Sequence, residues 1–365
     1  MSIRIGLLLG ELQGNQGPWY DIWANCLELR ISEARASGEL VQPVDLIWEN
    51  VNGLPWGSAH EVVEGWERLR DAGAIAILGP SNADNCMSIR TVANASRVPT
   101  FVFGCSHQLA SEWTFSPAWG SAPVDAMLAM NWVASQGHRR AVVLADRAWH
   151  ATEWIDYLGV AARRYGVQLV GTERIELYSE GLEPQLEDAR ERVERLRRLD
   201  ADVLVMSCSV AASAGALAVK ESGWDIARVK AGAAFGGAPE WEGWVGTAIY
   251  DEANPRFVEW RETYESRFGP APTGSLLDMA LSFTDAVRAL IVGIQMAPIH
   301  NRDGLKEGLE RVKMLPAVAG GPTTMVMFGP HDHRAYKGRD SSVLQRYVGP
   351  GVADFEFEGY FDSSI

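Results

Sequence analysis

Cysteine is scarce in this chain of 365 residues: Cys26, Cys86, Cys105 and Cys208 are the whole complement. No two of them stand in a C-x-x-C or other metal-ligand spacing, so neither a disulfide scaffold nor a cysteine-held metal centre is expected. Four unpaired thiols fit a reducing compartment. Lysine is also rare. Only five of the 33 basic residues (Lys220, Lys230, Lys306, Lys313 and Lys337) are lysine and the other 28 are arginine, a compositional bias and not a site. Positive charge is outweighed by 47 acidic side chains, for a net charge of −14. No run of Lys or Arg with interleaved aromatics occurs, so nucleic acid is excluded as a partner. Long apolar runs are missing too. None approaches the roughly 18 residues that a membrane span requires, which excludes membrane insertion. MSIRIGLLLG leads straight into a strand without a charged n-region, an apolar h-region and an A-x-A site. The expectation is a cytoplasmic protein as the sequence stands, or a periplasmic or extracytoplasmic one if it is a trimmed mature form.

What is present is ordinary globular material, 47% apolar and 22% charged. The length suggests two domains, with enough chain to build its cores without disulfide or metal. The dominant rhythm is a short apolar run followed by a helical pattern. Ile3 to Leu9, Val44 to Glu49, Ala74 to Leu78 and Thr100 to Phe103 read as strands, with helices between them. A second series places strands at Arg140 to Ala145, Gln168 to Ile175, Asp202 to Met206, Val229 to Ala234 and Thr247 to Tyr250. Helices near Arg256 to Arg267, Ser275 to Gln295 and Asp303 to Lys313 lack intervening strands, as if the chain had returned to the first lobe. A hairpin around Met325 to Phe328 and a strand at Val343 to Val348 close the pattern. Continuous apolar strands alternating with helices predict parallel sheets covered on both faces, and ligands bind outside the carboxyl ends of such strands.

The loops at those ends are therefore where chemistry is sought. Gly10 to Tyr20 carries glycines without G-x-G-x-x-G or G-K-[ST] spacing, so a tight turn explains them. Trp19 reads either as core or as an indole over the binding region. Leu78 to Asn85 (LGPSNADN) opens a helix, where free backbone N–H groups suit an anion or carbonyl oxygen and Ser81, Asn82 or Asp84 can cap. Phe101 to Leu109 (FVFGCSHQL) offers Cys105 or Ser106 with His107. Adjacent residues seldom align as nucleophile and base, and G-x-S-x-G is absent. Val143 to Trp154 places Trp149 and His150 just before a helix. His331-Asp-His333 has the look of two metal ligands, but without a third partner it reads as a solvated hairpin. Nothing points to an enzyme, a cofactor or a metal.

The order of these motifs resembles the type I periplasmic-binding-protein family, in its leucine/isoleucine/valine-binding branch. IRIGLLLGELQG, AIAILGPSNAD, VPTFVFGCSHQL, HRRAVVLADRAWHATEW and DADVLVMSCSVAASAGALAVKESGW carry the resemblance. So do FVEWRETYESRFGPAPTG, LLDMALSFTDAVRALIVGIQ and TTMVMFGPHDHRAY. It implies an α/β fold of two Rossmann-like lobes with helix-covered parallel sheets, joined by three hinge crossovers. Lobe 1 is expected at 1–117 and 251–324, lobe 2 at 118–250 and 325–365, with a ligand cleft between them. The resemblance puts Trp19 where the family often has an aromatic residue. It puts Asn82, Ala83 and Asp84 on the carboxylate-holding turn, and Cys105 and Ser106, with His107 beside them, on the next. His150 falls at the Tyr of the family's Tyr-Gly motif, Ser209 and the turn at Ala233 to Phe235 fall among the second-lobe contacts, and Trp19, Trp149 and Phe235 offer apolar walls. Ala83 stands where amino-acid binders have a hydroxyl, and Ala233 or Ala234 where they have an acid for the ammonium group. A buried ammonium without a partner is costly, so an amide or an aromatic or apolar carboxylate is the expected ligand.

The implied function is non-enzymatic binding of a small molecule, with an ABC permease as partner. The cytosolic amide-sensor subgroup, with a regulatory protein as partner, is the alternative. The protein is expected as a monomer or homodimer. An enzyme on a doubly wound fold would need a phosphate fingerprint, and a repressor core would need a DNA reader. Neither is present.

Overall fold

The computed structural model describes residues 2–10, 18–118, 120–178, 181–231, 238–349 and 355–359. The chain divides into two compact units. The first comprises Met1–Trp119, Glu252–Pro272 and Met279–Ser341, and the second Gly120–Asp251, Thr273–Asp278 and Ser342–Ile365.

In unit 1, β1 (Ile3–Leu9), β2 (Val44–Asn50), β3 (Ala76–Leu78), β4 (Thr100–Phe101) and β5 (Thr114–Phe115) form a parallel sheet in the order β2-β1-β3-β4-β5. Helices α1 (Pro18–Ala36), α2 (Ala59–Asp71) and α3 (Ala83–Ser96) connect its strands. Unit 2 holds α4 (Ala122–Ser135), β6 (Arg140–Asp146), α5 (Trp149–Tyr165), β7 (Gln168–Ile175), α6 (Leu182–Arg197), β8 (Val203–Ser207), α7 (Ala212–Glu221), β9 (Ala227–Lys230) and β10 (Val245–Ala248). The chain continues in unit 1 with α8 (Pro255–Phe268), most of α9 (Ser275–Met296), α10 (Arg302–Glu310), β11 (Leu315–Pro316), β12 (Met325–Val326) and β13 (Tyr336–Lys337). It ends in unit 2 with β14 (Val343–Tyr347) and β15 (Phe355–Gly359), which extend that sheet antiparallel to the order β15-β14-β10-β9-β8-β6-β7.

The sequence pattern explains the layers. Side chains of a strand alternate between faces, so a strand buried on both sides must be apolar throughout. In β6, Ala141, Val143 and Ala145 pack with α4 and α5 residues such as Met130, Val133 and Leu158. The intervening Val142 and Leu144 pack with α6 and α7 residues such as Leu186, Val193 and Val219. β8 splits in the same way, Val203 and Val205 to one side and Leu204 and Met206 to the other.

Three features differ from the sequence reading. Residues 325–341, expected with the second lobe, belong to unit 1. There β12 pairs with β11 and β13, and Ser116 exchanges backbone hydrogen bonds with His333 and Ala335. Such long-range pairing of two-residue strands leaves no periodic trace. The His331–His333 hairpin is not simply solvated. His333 is buried, stacked on Phe115 at 4.1 Å between ring centres. One ring nitrogen lies 2.6 Å from the Ser111 carbonyl and the other 3.1 Å from a Glu310 carboxylate oxygen. Finally, β9 ends at Lys230, four residues before the expected strand end.

In α9 the buried carboxylate of Asp285 accepts hydrogen bonds from the backbone N–H groups of Val318 and Ala319 at 2.9–3.0 Å and from Arg288 at 2.8 Å. It ties the tail of unit 1 to its longest helix. Asp285→Ala would leave two buried amides without their acceptor and the half-buried Arg288, still bonded to the Pro316 carbonyl, without its counter-ion, and should cost about 3–5 kcal/mol in urea unfolding.

Candidate functional site

In unit 1, the turns after β3 and β4 come together. Gly79 has φ of +109°, and a Cβ there would stand 2.0 Å from the Leu8 carbonyl oxygen, so only glycine allows the turn. Asn82 caps α3, its side-chain oxygen accepting from the Asp84 N–H at 2.8 Å, and Asp84 adds an acid to the positive first turn. Buried Asn85 donates to the carbonyls of Gly10 (3.0 Å) and Leu54 (2.9 Å) and accepts from the Leu54 N–H. One amide thereby fixes the turns after β1 and β2 against α3.

The next turn packs directly on the helix start, since a Cβ on Gly104 would lie 2.8 Å from the Cα of Ala83. Asn82, Ala83 and Asp84 are thus brought beside Cys105 and Ser106, both buried. The Ser106 hydroxyl accepts from the Gln108 N–H at 3.1 Å. Trp19 is in the first turn of α1. One turn on, Trp23 stacks on Phe283 at 4.3 Å and meets Phe103 at 5.3 Å. Residues i and i+4 share a helix face, so Trp19 lies on the side of α1 that follows Phe103 towards this turn.

His107 leaves the group. Its ring lies against the Arg334 guanidinium, 3.1 Å from Nδ1, and lines a pocket of about 360 Å³ with Ser111, Glu112, His331 and Asp332. Burial, then the Arg334 charge, push its pKa down to about 4. Engaged with a cation, it is no base for Cys105 or Ser106.

In unit 2 the organising group is Asp146, the last residue of β6. Both α5 and α7 start after an alanine that has no capping oxygen, Ala148 and Ala211. The Asp146 carboxylate takes over that task. It accepts from the N–H groups of Ala148 (3.1 Å), Ser209 (2.8 Å) and Ala211 (3.1 Å), and so faces the positive ends of two helices. That brings Trp149, His150 and Ser209 together. The Trp149 indole is 42% exposed. His150 is buried, edge-on to Trp154 at 4.9 Å, and its Nε2 has no hydrogen-bond partner. Phe235, with Ala233 and Ala234, lies outside the described residues.

Sequence reasoning passed over Asn85, Asp146, Asp125 and Lys230. Two of them left a signal, the acid that ends the apolar run 141–145 of β6 and the lysine that ends β9. Lys230 is buried, with Nζ 5.9 Å from the Trp154 ring centre. Burial pushes the Cys208 thiol well up, away from thiolate chemistry. Among the described residues no group of His, Cys, Asp and Glu could hold a metal ion, and no helix is long and apolar enough to cross a membrane.

Burial holds the pKa of His150 down at about 4, with Asp146 opposing and Lys230 assisting. The unfolded chain therefore takes up a proton near pH 6.5 that the folded ring refuses. The stability gained from neutral His150 is complete above that pH and lost as the pH falls towards 4. NMR of the His150 ring protons should show a midpoint near pH 4; titration near 6.5 would contradict the burial argument.

A sequence profile described as periplasmic binding protein matches residues 2–342. Comparison with curated proteins finds no match. Among solved structures, a type 1 periplasmic binding protein from Bordetella pertussis Tohama I aligns at TM-score 0.78 and 16% identity, over 98% of this chain and 100% of that one. An ABC transporter substrate-binding protein from Desulfitobacterium hafniense, in complex with Leu, aligns at 0.74 and 18%, over 98% and 100%. A solute-binding protein of an ABC transporter from Rhodopseudomonas palustris BisB5, in complex with 3,4-dihydroxybenzoic acid, aligns at 0.77 and 13%, over 100% and 98%. The match runs through both units, and the chain belongs to the periplasmic binding protein family.

Proposed function

We propose that the protein is the substrate-binding component of an ABC-type uptake system and that its ligand is an aromatic or apolar carboxylate, or an amide. The ligand's oxygen lies at the start of α3, among Asn82, Ala83, Asp84, Cys105 and Ser106, with Trp19 beside it. Trp149, His150, Ser209 and Phe235 supply the contacts from unit 2. A ligand that touches both units stabilises the conformation in which both sets of contacts are made, and that conformation is what a permease recognises. The same closure would serve a sensor, with a regulatory protein as recipient.

The observation that carries the ligand class is the state of Asp146. It is the acid at the strand ends of unit 2, it is fully buried, and three backbone amides occupy it. It is therefore unsuited to receive an ammonium group. Neutral His150 and the Trp149 indole suit a flat, weakly polar ligand body. The Rhodopseudomonas relative with its dihydroxybenzoate supports the reading that this fold accepts an aromatic acid.

Thermal unfolding against benzoate, 3,4-dihydroxybenzoate, aliphatic amides, urea and leucine tests this. A ligand at about 100 times its Kd stabilises the native state by about 2.7 kcal/mol. We expect the melting temperature to rise with an aromatic acid or an amide, and Trp19→Ala to weaken that ligand about tenfold, roughly 1.4 kcal/mol. Preferential stabilisation by leucine would overturn the ligand class.

A further inference from the structure

Asp125, in the first turn of α4, has no part in the solute site. Its side chain is fully buried, yet Oδ1 has no hydrogen-bond partner. Oδ2 accepts from the Ser121 N–H at 2.9 Å. The hydroxyls of Thr247 in β10 and of Ser342 just before β14 favour its ionised form, and so does the charge of Lys230 in β9. Helix α5, packed along α4, carries buried His150 and Glu153, and His150 also feels Lys230.

The residues around this carboxyl have one property in common. The chain passes from one unit to the other between Trp119 and Gly120 and again between Ser341 and Ser342. Ser121 follows the first passage by one residue, and Ser342 is the first residue after the second. The passage after Asp251 is tied in close by, where Gln345 in β14 donates to the Tyr250 carbonyl at 2.9 Å. Asp125 is thus hydrogen-bonded to the chain at the root of one passage and is influenced by Ser342 at the root of another, inside unit 2.

We propose that Asp125 is a proton-sensitive clasp on these passages, whose charge sets how firmly Ser121 and Ser342 are held and so biases the conformations that differ at the passages. The proposal rests on the reading that the units move when a solute binds. An ionised carboxylate is an acceptor only, for the Ser121 N–H and for either hydroxyl. A protonated one carries a donor, and a hydroxyl that meets its O–H must accept from it and turn its own proton elsewhere. The two forms impose different hydrogen-bond directions on the same residues. Burial brings the pKa up to about 7, against the opposing pull of the Ser121 amide, Lys230, Thr247 and Ser342, so both forms are populated near neutrality.

All four native cysteines are buried, so spin labels can be placed on introduced ones. Val41→Cys in unit 1 and Glu187→Cys in unit 2 are exposed positions for them. Pulsed electron spin resonance on the ligand-free protein, from about pH 5 to about pH 9, spans full conversion of the carboxyl. The distance distribution should change with a midpoint near neutrality. Asp125→Asn should give a distribution that does not respond to pH. Ser342→Ala, a small deletion that removes one group favouring the ionised form, should move the midpoint to higher pH. An unchanging distribution in the wild type, or an Asp125→Asn variant that titrates like it, would overturn the clasp. The solute reading is tested separately by the ligand panel, so the two failures are distinguishable.

Discussion

A parallel sheet buried on both faces ends, at its carboxyl edge, in turns whose backbone groups no neighbouring strand can satisfy. The rest of this protein follows from how those groups are met. Two buried side chains do most of it, one in each unit. Asn85 answers the turns after β1 and β2 with three hydrogen bonds. Asp146 answers the starts of two helices that lack caps of their own. Polar turns held this firmly over a dry core are a ready platform for a small polar ligand.

Unit 2 concentrates its buried ionisable groups within a short stretch of fold. Asp125, Asp146, His150 and Lys230 come from α4, β6, α5 and β9, and none is more than a few per cent exposed. Burial moves acid and base in opposite directions, Asp125 up and His150 down, because it disfavours the charged form of each. The consequences for stability also oppose. Neutral His150 contributes above its unfolded pKa and loses that contribution in acid. Asp125 contributes most when protonated and costs stability as the pH rises through about 7. The Lys230 charge acts on both, opposing the rise at Asp125 and adding to the fall at His150.

The family relation and the departures from it belong to different levels. The family match places the chain among periplasmic binding proteins, and distant structures of 13–18% identity share the fold while holding ligands as different as leucine and a dihydroxybenzoate. Specificity within such a fold comes from a few side chains at the strand ends. In this chain the proposed ligand would meet a neutral His150 and the indoles of Trp19 and Trp149, with Asp146 already held by three backbone amides.

Sequence by itself determined the architecture. The apolar runs at Ile3–Leu9, Arg140–Asp146 and Val203–Ser207 can only be strands covered on both sides, and the helical segments between them demand parallel connections. It also marked the turns at Asn82 to Asp84, Cys105 to Ser106 and Trp149 to His150, because breaks in periodicity are local. What tertiary structure alone decided is which distant residues meet. Two-residue strands such as β5 and β11 carry no period, so the assignment of residues 325–341 to unit 1 depends on pairing with Ser116, more than 200 positions away. The roles of Asn85, Asp125 and Lys230 were hidden for the same reason. A polar residue in an amphipathic pattern looks solvated until the fold buries it, and only then do its partners, drawn from other elements, define what its charge can do.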